Sequence, residues 1–260
     1  MRFFTLILLL SLSLSSVARE DVIQLDQQNY TNIGKKVFYL EDTRGELNFK
    51  DVKNLYPTGK FRPSKENILN FGNSKSAFWI RILYQNNTGS GSFLIVDAPN
   101  LEFVDCYTTG INGSAQVIRS GSLSKKTKGV IASNNYIFSL PEPSHINDLN
   151  EVYLRVKTNN FMLVPIKLAT HETYIAGSSF KEHIESIYIG VLITLFLFNI
   201  FLYISLHEKM YLFYGLYLFA GFVYLVLYLR GYGYLFGYDF RTIIYKYPHF
   251  FLALSSMPGI

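Results

Sequence analysis

The chain has 260 residues, of which 49% are hydrophobic, and it carries a formal net charge of +5. Its basic residues are scattered, and the longest basic group, Lys125, Lys126 and Lys128, indicates a solvated loop, so no nucleic-acid partner is expected. The single cysteine, Cys106, excludes an internal disulfide, and a core of packed side chains must therefore stabilise the chain.

The N-terminus has the layout of a secretory signal peptide over residues 1–18. Arg2 precedes an apolar stretch from Phe3 to Leu14, and Ser16–Ala18 supplies the small residues of a cleavage site. Because the apolar stretch is too short to span a bilayer stably, we expect cleavage and export of the residues that follow. An uncleaved third anchor is the alternative.

Residues 21–172 have the pattern of short strands, in which polar and apolar residues alternate between turn signals. The run Ala77–Gln85 is typical, because every second residue points to one face: Phe78, Ile80, Ile82 and Tyr84. Similar runs are Lys36–Leu40, Ser92–Asp97, Glu102–Thr108, Asn134–Leu140, Glu151–Val156 and Val164–Ala169. Only Asn48–Leu55 is predicted to be a helix, with Asn48 as its N-cap. Strands at this spacing without alternating helices predict an all-β antiparallel sandwich.

The last part of the chain predicts membrane-spanning helices. After a connector at 173–186, whose second half is the predicted start of the first helix, two uncharged runs follow, Ile187–Leu206 and Met210–Leu229. At ~1.5 Å per residue each run matches the ~30 Å hydrocarbon core of a bilayer. The three residues between the runs predict a hairpin, and 247–260 is predicted to open a third span.

The loop charges alone leave the orientation of this hairpin open. The turn contains only Lys209, whereas the segment after the second run contains Arg230, Arg241 and Lys246. The orientation of the hairpin is therefore inferred from the signal peptide. It places the N-terminal domain outside, so the first run passes inward, the second returns, and the segment 230–246 lies outside again.

Four passages resemble a known family: FYLEDTRGELNFKDV, FGNSKSAFWIRILYQN, EVYLRVKT and IYIGVLITLFLFNIFLYISLHEKMYLFYGLYL. They are similar to bacterial receptors with seven transmembrane helices and diverse intracellular signalling modules, whose exported part is often the type 2 extracellular domain. The resemblance implies a jelly-roll sandwich similar to carbohydrate-binding modules, followed here by a transmembrane hairpin and a partial third span. It also implies residence in the bacterial inner membrane, with the sandwich periplasmic or extracellular.

The same resemblance implies seven spans and an output module such as a histidine kinase or diguanylate cyclase. This chain offers two spans and part of a third, and it contains no output chemistry. We therefore expect a fragment of a longer receptor or a prematurely ended reading frame, with a complete two-span protein as the alternative.

Aromatic and basic residues form the candidate ligand site. If Ala77–Gln85 and Glu151–Val156 are strands, Trp79 and Arg81 share one face of the former, and Tyr153 and Arg155 share one face of the latter. Sugars stack on flat aromatic rings, and the arginine fork suits anionic groups. We predict that these four residues bind a small molecule or carbohydrate if they converge. The alternative is that Trp79 belongs to a core or a rim and the arginines close structural ion pairs.

No nucleophile elbow, phosphate loop or paired-cysteine metal site is present in the sequence, so no catalytic residue is assigned and no enzyme is expected. Asp97, Glu102 and Asp105 lie near turns and are weak candidates for Ca²⁺ ligands. Because they lack the regular spacing of a calcium loop, no metal or other cofactor is assigned, and solvated acids are the preferred interpretation.

Within the first span, Asn199 lies near mid-membrane and Tyr203 lies one turn further on the same face. Polar groups in lipid usually pack against other helices, and a role in signal transmission is the further hypothesis.

These patterns predict the sensory half of a bacterial receptor, in which an exported sandwich binds a small ligand and alters the packing of the attached helices. A second copy of the chain is a candidate partner. The alternative from another class is a membrane-tethered adhesion or carbohydrate-binding protein without signalling output. An anchored hydrolase lacks residues to support it.

Overall fold

The computed structural model describes residues 22–25, 32–109, 115–124, 130–131, 133–141 and 148–256. The predicted signal peptide at 1–18 and the last four residues of the predicted third span lie outside this range. The strands in chain order are β1 (Ile23–Leu25), β2 (Phe38–Asp42), β3 (Arg62–Pro63), β4 (Leu69–Gly72), β5 (Ala77–Asn86), β6 (Ser92–Val96), β7 (Phe103–Thr109), β8 (Ala115–Ser120), β9 (Val130–Ile131), β10 (Tyr136–Ser139), β11 (Leu149–Lys157), β12 (Met162–Val164) and β13 (Ile166–Thr170).

The described strands form the predicted sandwich. The larger sheet has the order β3-β2-β5-β11-β7-β8, and β1 pairs in parallel with the end of β5. The opposing sheet has the order β13-β6-β10-β9, and β4 and β12 form a separate two-stranded pair. All pairs other than β1 with β5 are antiparallel. The all-β prediction is therefore confirmed.

The core lies between the two sheets and uses the predicted face of β5. Phe78, Ile80, Ile82 and Tyr84 are at most 4% exposed and belong to one cluster of buried side chains. The larger sheet adds Val152, Leu154, Val156, Val104 and Cys106 to this cluster, and the opposing sheet adds Leu94, Val96, Phe138, Ile166 and Leu168. Alternation along each strand thus places the apolar residues of both sheets in one interior.

The prediction of a single strand at Val164–Ala169 is wrong, because Pro165 interrupts it. Proline has no backbone N–H to donate to a sheet ladder. The chain therefore changes sheets at this residue, so that β12 pairs with β4 and β13 pairs with β6. The Pro165 carbonyl still accepts a hydrogen bond from the N–H of Asp97, at 3.1 Å.

The one helix of the sandwich predicted from sequence is confirmed as α1 (Phe49–Leu55). The Asn48 side chain accepts a hydrogen bond from the N–H of Asp51 at 3.0 Å, and the Asp51 carboxylate accepts one from the N–H of Asn48 at 3.2 Å. This reciprocal pair is a capping box, which satisfies two backbone donors at the start of the helix.

The whole of the predicted connector at 173–186 is helical, including its first half, for which the sequence predicts no helix. A single helix of 36 residues, α2 (His171–Leu206), begins directly after β13. The Thr170 hydroxyl oxygen caps this helix by accepting a hydrogen bond from the N–H of Thr173, at 3.2 Å. The first half is polar and lacks an apolar stripe, so its helical state depends on the cap and on the apolar half that continues it.

The chain after α2 forms α3 (Lys209–Phe222), a π-helical continuation (Val223–Leu229), a 3₁₀ turn (Tyr232–Leu235), α4 (Tyr238–Lys246) and α5 (Pro248–Ser256). Among the described residues, two helical stretches, Glu182–Leu206 and Lys209–Leu229, are long and apolar enough to cross a membrane. The segment 230–246 returns to the sandwich, where Arg241 Nη2 donates to the Ser124 carbonyl at 2.8 Å. This segment therefore lies on the same side as the sandwich, which is the orientation expected from the signal peptide.

Leu154→Ala tests the core. Leu154 is fully buried, so we expect a loss of about 2–5 kcal/mol in the free energy of unfolding. The only tryptophan, Trp79, lies in the sandwich, so its fluorescence during denaturant unfolding in detergent reports on this domain. Leu149→Ala on the same strand is the matched control, because Leu149 is 56% exposed. Equal losses for the two variants would contradict the assignment of the core.

Candidate ligand-binding sites and membrane junction

The four residues predicted to bind a ligand lie side by side on the outer face of the larger sheet. In the pairing of β11 with β5, Tyr153 is opposite Arg81 and Arg155 is opposite Trp79. Residues directly opposite each other on paired strands share a face of the sheet. The pairing of β5 with β11 thus brings the four residues together, which is the condition stated for a ligand site, and we call the four residues the central patch.

Arg81 is fully engaged within the protein. Its guanidinium group forms an ion pair with Glu151, and the Tyr153 hydroxyl donates to the same carboxylate oxygen at 3.0 Å. The guanidinium carbon lies 3.5 Å from the centre of the Tyr56 ring, which is a cation–π contact. Burial lowers the pKa of Arg81, but the hydrogen bond and charge of Glu151 outweigh burial and raise it. Arg81 is therefore held as a buried, paired cation.

Trp79 and Arg155 are also enclosed. Trp79 is 0% exposed, and its indole N–H has no hydrogen-bond partner among the described residues. Arg155 donates to the Gly45 carbonyl at 3.1 Å and lies 3.7 Å from the Asp105 carboxylate. Burial raises the pKa of Asp105, and the charges of Arg155 and Arg119 reduce this effect. In this conformation Trp79 is a core residue and both arginines are paired with acids, which is the alternative to a ligand role.

Helix α1 closes the central patch from outside. The Phe49 ring stacks on Tyr107 with centroids 5.0 Å apart and meets the edge of Tyr153 at 5.4 Å. Val52 on the same helix is 0% exposed and packs in a cluster with Trp79 and Tyr153. A ligand can reach Trp79 and Tyr153 only when α1 moves away. The ligand role of these residues therefore remains a prediction.

The three acidic candidates for Ca²⁺ do not assemble into one site. Asp97 pairs with Lys167 at 3.3 Å, and Asp105 faces Arg155. Glu102 accepts hydrogen bonds from the N–H and the side-chain amide of Asn159, at 3.0 and 2.9 Å. Within the part of the chain that the structure describes, no group of three His, Cys, Asp or Glu side chains could hold a metal ion.

In the first span, Asn199 is 7% exposed and donates to the Leu195 carbonyl of its own helix at 2.8 Å. Among the described residues the Asn199 side chain makes no hydrogen bond to another helix. Tyr203 contributes its carbonyl to the end of α2, where it accepts the N–H of His207 at 2.8 Å. A role of these two residues in signal transmission remains a prediction.

An open cleft that the sequence analysis missed lies at the edge of the sandwich. It is bounded by β2, β3, β4 and the segment between β3 and β4, and it has a volume of about 420 Å³. This volume is within the usual range for small-ligand sites. The residues that line its walls include Tyr39, Arg62, Lys65, Glu66, Asn70 and Phe71. The strands β3 and β4 are too short to show a recognisable alternation.

A buried carboxylate joins the sandwich to the membrane helices. Glu185 of α2 accepts hydrogen bonds from Arg230 at 3.0 Å, from the Tyr232 hydroxyl at 3.0 Å and from the Asn134 side-chain amide at 3.4 Å. Asn134 belongs to the sandwich, immediately before β10, whereas Arg230 and Tyr232 follow the second span. Burial, with the hydrogen bond and charge of Glu185, raises the pKa of Tyr232 to about 12.

The segment after the second span makes a second set of contacts with the sandwich. The Tyr238 hydroxyl donates to the Leu123 carbonyl at 3.1 Å, beside the bond from Arg241 to Ser124. Gly231 has φ +81°, and a Cβ atom there would lie 2.4 Å from the Asn134 carbonyl oxygen. Only glycine fits this close approach. We call these contacts, together with those of Glu185, the junction.

Comparison with known protein families gives two matches. Residues 34–170, more than half of the chain, match the family model described as 7TMR-DISM extracellular 2. Residues 181–259 match the model described as 7TM diverse intracellular signalling. The chain is thus similar to an extracellular domain followed by the membrane region of such signalling proteins. A search of curated proteins found no match.

Glu151→Gln tests the ion pair of the central patch. Arg81 would then be a buried cation without its charged partner, and we expect a loss of about 2 kcal/mol in the free energy of unfolding, measured by Trp79 fluorescence. Glu46→Gln is the control, because Glu46 is exposed on the same domain. We expect that control to stay within about 0.5 kcal/mol of wild type. An unchanged stability of Glu151→Gln would show that Arg81 does not depend on this carboxylate.

Proposed function

This chain belongs to the 7TMR-DISM family, the 7TM receptors with diverse intracellular signalling, and from that membership we propose that it is the ligand-sensing part of a bacterial receptor. Its exported sandwich binds a small ligand, such as a carbohydrate. The attached helices carry the response into the membrane bundle of the receptor. The inner membrane is the location, with the sandwich in the periplasm.

The junction is the observation that supports this proposal most strongly. A domain that only holds a ligand near the membrane needs a tether and no more. Here the sandwich instead contacts both ends of the helical hairpin on its own side of the membrane, through α2 at Glu185 and through the segment 230–246. A change in the sandwich can therefore alter the packing of the two spans.

The start of α2 provides a second physical link. Strand β13 passes into α2 without a loop, and its neighbour β6 contributes Phe93, whose ring stacks on His171 with centroids 4.0 Å apart. Tyr174, one turn later, meets the edge of the same Phe93 ring at 5.7 Å. Gly91 leaves room for His171, because a Cβ atom there would lie 2.8 Å from the imidazole ring. Movement of β6 and β13 therefore moves the first turn of α2.

A ligand can shift this arrangement only by binding one packing of the helices more tightly than another. A change from 1:99 to 99:1 between two packings requires a difference in affinity of about 10⁴-fold. The central patch of Trp79, Arg81, Tyr153 and Arg155 is one location for such a difference, because its occupation would displace α1. In that case the energy of separating Phe49 from Tyr107 opposes binding.

A tethered adhesion or carbohydrate-binding protein is the alternative function. Family membership favours a sensor over an enzyme. The proposal includes a kinase or cyclase as the output of the whole receptor. The two functions differ in one measurable property. In a receptor, ligand bound to the sandwich changes the membrane helices, whereas in a tethered binder those helices are unaffected.

Hydrogen exchange distinguishes the two functions. The chain is reconstituted in nanodiscs, and mono- and oligosaccharides are screened for compounds that raise its unfolding temperature. With a stabilising compound bound, we expect altered exchange in peptides from α2 and from 230–236 as well as in the sandwich. Protection confined to residues 32–170 would contradict the receptor function and support the tethered binder.

Glu185→Gln tests the junction itself. The substitution removes the negative charge that Arg230 and Tyr232 contact, so the segment 230–236 should open more often. Since a hydrogen bond to a charged group contributes about 1.5 kcal/mol, we expect about tenfold faster amide exchange there. Glu172→Gln, an exposed glutamate in the first turn of the same helix, is the control. Equal exchange in the two variants would show that Glu185 does not hold the junction together.

A further inference from the structure

The open cleft at the edge of the sandwich has a rigid aromatic floor. The Phe71 ring stacks on Phe78 with centroids 3.8 Å apart and planes at 11°, and Phe78 is 4% exposed within the main core. Tyr39 packs against Phe71 at 5.3 Å. Both floor residues remain partly accessible from the cleft, so a flat ring can contact them without any movement of the chain.

The rim of the cleft is also fixed in place. The N–H of Ser64 donates to the Val37 carbonyl at 2.9 Å, and the Ser64 hydroxyl accepts the N–H of Glu66 at 3.3 Å. Gly34 lies directly against this rim, since a Cβ atom there would be 2.3 Å from the Asn67 carbonyl oxygen. The backbone that carries the polar side chains of the cleft is therefore ordered before any ligand binds.

Two cations with no acidic partner among the described residues stand at this rim. Arg62 is opposite Tyr39 in the pairing of β3 with β2, so its side chain lies on the same face as the aromatic floor. Lys65 is the second cation, and both are exposed. Arg81 and Arg155 of the central patch, by contrast, are paired with Glu151 and Asp105.

The cleft also carries a neutral donor and a single acid. The Asn70 side-chain oxygen accepts the N–H of Gly72 at 3.0 Å, and Asn70, which lines the cleft, has two amide N–H donors in addition. Glu66 is the only acidic residue of the lining. With Arg62 and Lys65 present, the cleft has a net positive charge of one.

We propose that this cleft binds a small organic anion, a compound that combines a flat ring with a carboxylate or phosphate group. The ring contacts Tyr39 and Phe71, and the anionic group contacts Arg62 and Lys65, for which the arginine fork is well suited. The proposal rests on the proposed sensory function and specifies its ligand class and location. Binding here requires no displacement of α1, in contrast to binding at the central patch.

The test uses the full chain in nanodiscs and three probes, namely benzoate, phenyl phosphate and the neutral analogue benzamide. Binding is followed by ligand-observed NMR, with empty nanodiscs as the blank. We expect benzoate or phenyl phosphate to bind more tightly than benzamide. The stronger of the two anions identifies whether carboxylate or phosphate is preferred. Equal binding of benzamide and the anions, or no binding of either anion, would overturn the proposal.

Substitutions locate the binding site. Arg62→Ala removes the fork, and we expect at least tenfold weaker binding of the anion, as for a lost hydrogen bond between charged groups. Arg44→Ala is the matched control, because Arg44 is an exposed arginine of the same domain outside the cleft. Equal losses for Arg62→Ala and Arg44→Ala would show non-specific attraction. A loss with Arg81→Ala but not with Arg62→Ala would place the ligand at the central patch.

The failure of this proposal can be distinguished from failure of the receptor function. If the probes do not bind but a screened saccharide alters exchange in α2, the chain is a sensor with another ligand class. If an anion binds in the cleft and exchange in α2 is unchanged, the cleft is confirmed and the receptor function is contradicted.

Discussion

A carboxylate buried at the edge of a membrane must have hydrogen-bond donors, and the placement of the sandwich on the membrane helices follows from this requirement. Glu185 lies on the first helix and receives its donors from two other parts of the chain, namely Asn134 of the sandwich and Arg230 with Tyr232 after the second span. If the sandwich or the hairpin shifts, this carboxylate loses a donor. The relative position of the two parts therefore depends on this polar contact in addition to the apolar cluster that includes Leu123 of the sandwich and Val223 of the second span.

The two candidate ligand sites differ in what they require of the protein. At the central patch, Arg81 and Arg155 already have acidic partners and α1 covers Trp79 and Tyr153, so a ligand must compete with existing contacts. At the open cleft, the floor and rim are preformed and the cations have no acidic partner among the described residues. Preorganisation of this kind lowers the free-energy cost of binding. A small molecule that makes few contacts can therefore bind in the cleft. A ligand of the central patch must also supply the free energy that displaces α1.

The features that could be predicted from sequence are those with a local pattern. The alternation in β5, the capping box at Asn48 and the two apolar spans each depend on residues close in the chain. Alternation also places Trp79 and Arg81 on one face of their strand and Tyr153 and Arg155 on one face of theirs, but the pairing of the two strands is a long-range contact that the sequence does not predict. The position of α1 over those residues could not be predicted, because the contact of Phe49 with Tyr107 and Tyr153 joins distant segments. The contact of Glu185 with Asn134 likewise joins segments that are far apart in sequence. The polar start of α2 could not be predicted as helix, because it has no apolar stripe.

A double-mutant cycle between Asn134 and Glu185 measures whether the sandwich and the membrane helices are energetically coupled at the junction. The free energy of unfolding of the sandwich is measured by Trp79 fluorescence for wild type, Asn134→Ala, Glu185→Gln and the double variant. Because the two residues are in contact, we expect a coupling energy of about 0.5–1 kcal/mol. Strict additivity of the two substitutions would contradict it, because the sandwich would then be insensitive to the helix beneath it.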